Sequence, residues 1–71
     1  MRIDIRNEIK SIIVREGLTM EELVNRLSEL HGWSRSVPNL SGKLHRGSLR
    51  YTEALELADA LGYDIEWRKR K

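Results

Sequence analysis

Between His31 and Thr52 the chain carries Arg35, Lys43, Arg46 and Arg50 but no aspartate or glutamate. Acids resume on both flanks, with Glu21, Glu22 and Glu29 before this window and Glu53, Glu56 and Asp59 after it. Guanidinium and ammonium groups kept clear of acids suit the holding of anions by charge-assisted hydrogen bonds. Asn39 and the hydroxyls of Ser34, Ser36 and Ser41 lie in the same window and add directional polar groups. An anionic partner is expected, with nucleic acid the first candidate; an ordinary solvated basic face is the plainer alternative. Covalent chemistry is not expected. No nucleophile, base and orienting group fall into a recognisable set, and no phosphate-cradling glycine loop is present. His31 and His45 have no neighbouring cysteine or carboxylate cluster, so neither a metal nor another cofactor is expected.

A helix over roughly residues 36–46 would position these groups. Val37, Leu40 and Leu44 share one side of a 3.6-residue repeat, while Asn39, Lys43 and Arg46 gather on another side and Arg35 joins them. Ser36 suits the N-cap, Pro38 the first turn and Gly47 the stop. Gly42 lies mid-helix on the outward side, which fits either close approach to a duplex or a short, frayed helix.

Three further helices are expected. The first runs from Asp4 to Glu16 with Ile5, Ile9, Ile12 and Ile13 on one stripe, although Ile3 and Ile5 also alternate with charges. The second opens at Thr19, with Glu22 at capping-box spacing and Leu18 and Leu23 at staple spacing. It buries Leu23, Val24, Leu27 and Leu30 and ends near His31-Gly32, with Trp33 following as a plug at the core edge. The fourth covers Glu53 to Leu61, capped by Thr52, with Ala54, Leu55, Ala58 and Leu61 inward. Tyr63 to Trp67 then alternates apolar with acidic residues, a strand signal that residues 1–5 or the same segment of a second copy would pair, the segment being irregular otherwise; a two-fold dimer through residues 63–67 is expected.

Seventy-one residues support one small domain. The boundaries expected are a folded part over residues 1–67 and a basic tail over residues 68–71. No apolar run is long enough to span a membrane and no signal peptide is recognisable. The absence of cysteine fits a reducing cytoplasm. The net charge of +2 rests on the tail: without its four basic residues, nine basic and eleven acidic residues leave −2.

Leu18-Thr19-Met20-Glu21-Glu22-Leu23, Leu44-His45-Arg46-Gly47 and Leu55-Glu56-Leu57-Ala58-Asp59-Ala60-Leu61-Gly62 resemble, in order and spacing, the Cro/CI-type (XRE family) helix-turn-helix regulators. The last segment matches that family's L-x-L-A-x-A-L-G pattern at each fixed position, and the likeness covers roughly residues 5–65. It departs from the pattern between the second and third helices, where Ser28 to Arg35 makes the join about seven residues longer. Either the second helix runs on, or the turn is open.

The resemblance implies an all-α, compact, four-helix domain of the lambda repressor-like kind, to which the alternation of residues 63–67 would add a short extended segment. It implies a cytoplasmic, sequence-specific regulator of bacterial or phage type that binds double-stranded DNA as a homodimer. The third helix would lie in the major groove. Asn39 would then read adenine, Lys43 or Arg46 guanine, and Ser34, Ser36, Ser41 and Arg50 would hold phosphates. The alternative from another class is a protein-interaction module, antitoxin-like or anti-repressor, that works through its acidic helices.

Overall fold

The computed structural model describes residues 4–70. Its elements are α1 (Ile5–Arg15), α2 (Met20–His31), α3 (Val37–Arg46) and α4 (Tyr51–Leu61), with no strand among the described residues. The chain is an all-α, four-helix domain. No helix among the described residues is long and apolar enough to cross a membrane.

Local signals set most helix ends. The Asp4 carboxylate accepts from the Asn7 backbone N–H at 3.3 Å and caps α1. At α2 the box is reciprocal: the Glu22 N–H donates to the Thr19 hydroxyl at 3.1 Å, and the Thr19 N–H donates to the Glu22 carboxylate at 3.0 Å. Each such cap satisfies N–H groups left without helical partners and contributes about 1 kcal/mol. α2 then continues one turn past Leu27 and closes on Gly32 in the left-handed region, φ 71°. The long join foreseen from the sequence is therefore mostly extra helix, and only residues 32–36 connect α2 to α3.

α4 starts earlier than expected. Thr52 lies inside the helix, and the cap position belongs to Arg50, whose backbone N–H donates to the Glu53 carboxylate at 2.9 Å. A carboxylate three residues into the helix thus satisfies the chain entry that a threonine hydroxyl was expected to cap.

The core consists of Ile13, Leu23, Val24, Leu27, Leu40, Leu44, Leu57, Ala60 and Leu61, all essentially buried. α2 is the central element and packs on α4 and α3, while α1 packs on α3. Ile9, Ile12, Leu18 and Trp33 are half-buried against this core. Two expectations about facing are corrected. Leu30 is 57% exposed, because the α2 stripe steps from Leu27 to His31, which meets Asp59 of α4 at 2.9 Å. On α4, Leu57 and Ala60 are buried, whereas Leu55 is 39% exposed and Ala58 is only half-buried. Apolar residues surround most of this helix, so its periodicity admits two inward faces; packing on α2 selects the Leu57 face.

The other face of α4 is left beside α1. Ala54, Ala58, Ile5, Ile9, Ile12 and Ile65 line an open groove of about 420 Å³, which Glu8, Arg15 and Asp64 also border. Tyr63 to Trp67 has no strand pairing among the described residues. The alternation there arises because each apolar residue finds a different support. Tyr63 packs on the core and donates its hydroxyl to Glu16 at 2.9 Å, Ile65 lines the groove, and Trp67 reaches Tyr51. Of the first five residues, Asp4 is extended (φ −100°, ψ 96°) and Ile5 is helical; the alternation expected at residues 1–3, like Lys71 of the basic tail, lies outside the described residues.

Candidate nucleic-acid interface

α3 is held from behind and capped in front. Leu40 and Leu44 are 2% and 1% exposed, which fixes the helix on the core. At its start the Asn39 backbone N–H donates to the Ser36 hydroxyl at 3.2 Å, Pro38 occupies the first turn, and the first turn contains no acid. The Ser36 backbone N–H in turn donates to the Ser34 hydroxyl at 3.3 Å. Both serines are therefore engaged in shaping the entry to α3. An entry ordered in this way keeps the positive end of the helix dipole at the surface, where anions are favoured.

Asn39, Ser41, His45 and Arg46 are exposed, and the helix is unbroken through Gly42. Gly42 lies beneath the Arg46 guanidinium: a Cβ built there would stand 2.9 Å from its Nη1. Arg46 therefore lies back along the helix toward its N-terminus, the usual direction for a helical side chain. A missing side chain makes room for a guanidinium on the outward face.

Lys43 occupies a different setting. Its ammonium pairs with the Glu53 carboxylate and stands 4.9 Å from the centroid of the Trp33 ring. Trp33 donates its indole N–H to Glu56 at 2.7 Å. Lys43 thus joins α3, the α2–α3 join and α4 instead of standing as an open charge beside Asn39. The Lys43 hydrogen bond, then the Arg50 backbone N–H, hold the Glu53 carboxyl below its ordinary value of 4.5. The other cations are differently placed. Arg35 is exposed and donates through Nε to the Ser28 hydroxyl at 3.2 Å, and Arg50 is exposed at the end of the α3–α4 loop.

Among the described residues, carboxylate ion pairs engage Lys43 and Arg68, carboxylates also lie beside the His31 ring, and none engages Arg6, Arg35, Arg46 or Arg50. Arg6 was not foreseen from the sequence. Its Nη1 lies 2.9 Å from Nδ1 of His45, which brings a guanidinium from α1 to the edge of α3. Arginine has only donors, so this contact requires an unprotonated His45 Nδ1 as acceptor. Thirty-nine positions separate the pair, and no local pattern joins them.

Comparison with known proteins adds the family alone. No curated protein and no solved structure matches the chain. A family described as a domain of unknown function, DUF6471, matches residues 2–65. That match covers most of the sequence, and the chain belongs to the DUF6471 family.

Proposed function

We propose that this chain is a sequence-specific DNA-binding regulator of the helix-turn-helix type that inserts α3 into the major groove. The observation that carries this reading is the two-sidedness of α3. Leu40 and Leu44 are wholly committed to the core, while Asn39 and Arg46 are exposed and Arg46 is unclaimed by any carboxylate among the described residues. An amide pairs bidentately with adenine N6 and N7, and a guanidinium with guanine O6 and N7. Arg35 and Arg50 flank the helix and suit backbone phosphates, which fix register without reading sequence. Lys43 becomes a support for α3 in this scheme. One α3 would reach a single half-site, so the active form is taken to be a two-fold dimer. Residues 63–67 are taken as its interface, together with the α1–α4 groove that Tyr63, Asp64 and Ile65 help to line.

The test is selection of ligands from a random duplex pool, repeated at two salt concentrations with the intact chain and two variants. Asn39→Ala should relax preference at one base position and lose about 1–3 kcal/mol of discrimination there. Arg50→Ala should weaken all duplexes alike and flatten the salt slope by about 0.9. Unchanged affinity and preference in both Asn39→Ala and Arg46→Ala would overturn the proposal. Loss of a protein partner on changing Glu22 or Glu56 would then support the interaction-module alternative.

A further inference from the structure

We infer that residues 62–70 form a clasped arm that carries Arg68, Lys69 and Arg70 to the Arg50 end of α4 and lays them on DNA phosphates beside the α3 contact. This rests on the DNA-binding reading above. Its basis is the path of the chain after α4. Tyr63 is fixed at the helix C-terminus by its backbone N–H, which donates to the Ala58 carbonyl at 2.8 Å, and by its hydroxyl on Glu16. Only four residues later, the Trp67 indole N–H donates to the hydroxyl of Tyr51, the first residue of the same helix, at 2.8 Å. The two rings meet edge to face, with centroids 6.2 Å apart and planes at 68°.

The lengths constrain this path. Ten helical steps from Tyr51 to Leu61 advance about 15 Å. Five steps from Gly62 to Trp67 cover about 17 Å only when nearly extended. With the Trp67 and Tyr51 side chains bridging the remaining distance, the segment runs back beside α4 toward its first turn. It returns the chain to the residue next to Arg50.

The acid-free stretch that includes Arg50 supplies further positive charge. Arg46 closes α3 and Arg50 closes the loop, with no acid between them. Arg68, Lys69 and Arg70 follow the clasp directly. Arg68 stands 3.9 Å from Glu66, but both side chains are about four-fifths or more exposed, so the pairing is weak and readily exchanged for a phosphate. Lys69 and Arg70 take part in no ion pair among the described residues. Trp67 remains 86% exposed, so one hydrogen bond and an edge contact guide the arm without locking it.

Duplex binding as a function of salt tests this with the full chain and two variants. Arg68→Gln/Lys69→Gln/Arg70→Gln should lower the slope of log affinity against log salt by roughly 2–3 units, at about 0.9 per phosphate contact, and leave base preference unchanged. Trp67→Ala retains every charge and should lower the slope by a smaller amount, again without changing preference. Helical circular dichroism should be unaltered in both, since the residues changed are exposed. A triple variant with the parental slope, while Asn39→Ala still loses preference, would overturn the arm and leave the DNA reading intact. Parental behaviour of Trp67→Ala would overturn the role of the clasp. If the triple variant instead loses binding to phosphatidylglycerol vesicles and keeps its duplex slope, the arm is a membrane patch and the inference fails. An intact chain that binds no duplex would overturn both readings together.

Discussion

α3 and α4 differ by one residue in length, and each closes on a glycine in the left-handed region, yet they distribute their side chains in opposite ways. α3 has one apolar stripe, all of it turned to the core, and a polar remainder. α4 has apolar residues on most sides, of which Leu57, Ala60 and Leu61 are buried while Leu55 and the groove-lining Ala54 and Ala58 are not. A helix whose apolar side chains are fully used has its other face available for a polar partner. A helix with apolar side chains left over supports the core and offers a second apolar surface. The comparison leaves α3 with a free polar face, the one the DNA-binding proposal uses, and α4 with a supporting role in the core.

The strongest way to break this contrast is truncation on the two sides of α4. Leu57→Ala should destabilise the fold by about 2–5 kcal/mol, through lost transfer energy and the cavity left behind. Leu55→Ala should cost well under that, because its side chain already meets solvent. Thermal or urea unfolding of both variants ranks them directly, and equal losses would mean that α4 buries both faces in solution.

A smaller effect separates the two helix starts. Ser36→Ala removes the hydroxyl that accepts from Asn39 and should cost about 1 kcal/mol, whereas Thr52→Ala should be close to neutral because Thr52 caps nothing. Urea midpoints of the two variants would show it, and a larger loss for Thr52→Ala would restore the threonine as the cap of α4.

The start of α4 also shows where the sequence is readable and where it is not. Asp4, Thr19 with Glu22, Ser36, Gly32, Gly47 and Gly62 act on atoms within a few residues of themselves, so the four helices and most of their limits follow from local pattern. Glu53 is different because it serves two partners at once, the Arg50 N–H three residues back and the Lys43 ammonium ten residues back. The same holds at the candidate site. Asn39 and Arg46 could be placed by helical period, since they need only their own helix. The withdrawal of Lys43 into an ion pair, the approach of Arg6 to His45 and the Trp67–Tyr51 clasp depend on how separate elements pack, which residue spacing does not encode.

The smallest expected effect is an acid dependence centred on Glu53, the point where α3 and α4 are tied together. Its carboxyl is held below the ordinary value in the folded chain, so the unfolded chain binds the proton more readily. The pair's contribution is therefore complete above pH 4.5 and is lost as pH falls through the lowered folded value. Glu53→Gln should be less stable than the parent at neutral pH, and the difference should shrink in acid. A difference constant down to acid unfolding would remove Glu53 as the link between the two helices.

Trp33 has a consequence for how substitution can re-aim α3. The five-residue join does not itself fix the direction of α3. Leu40 and Leu44 seat it on the core, and the Trp33 ring braces it, set between the Lys43 ammonium and the Glu56 carboxylate, with Glu53 behind the lysine. The attitude of α3 therefore depends in part on positions 33, 53 and 56, none of which projects with Asn39 and Arg46. Substitutions there tilt the helix as a lever about its fulcrum and move every outward side chain together. Under the DNA-binding proposal, a lineage would shift its preferred site through these positions while Asn39 and Arg46 stay the same.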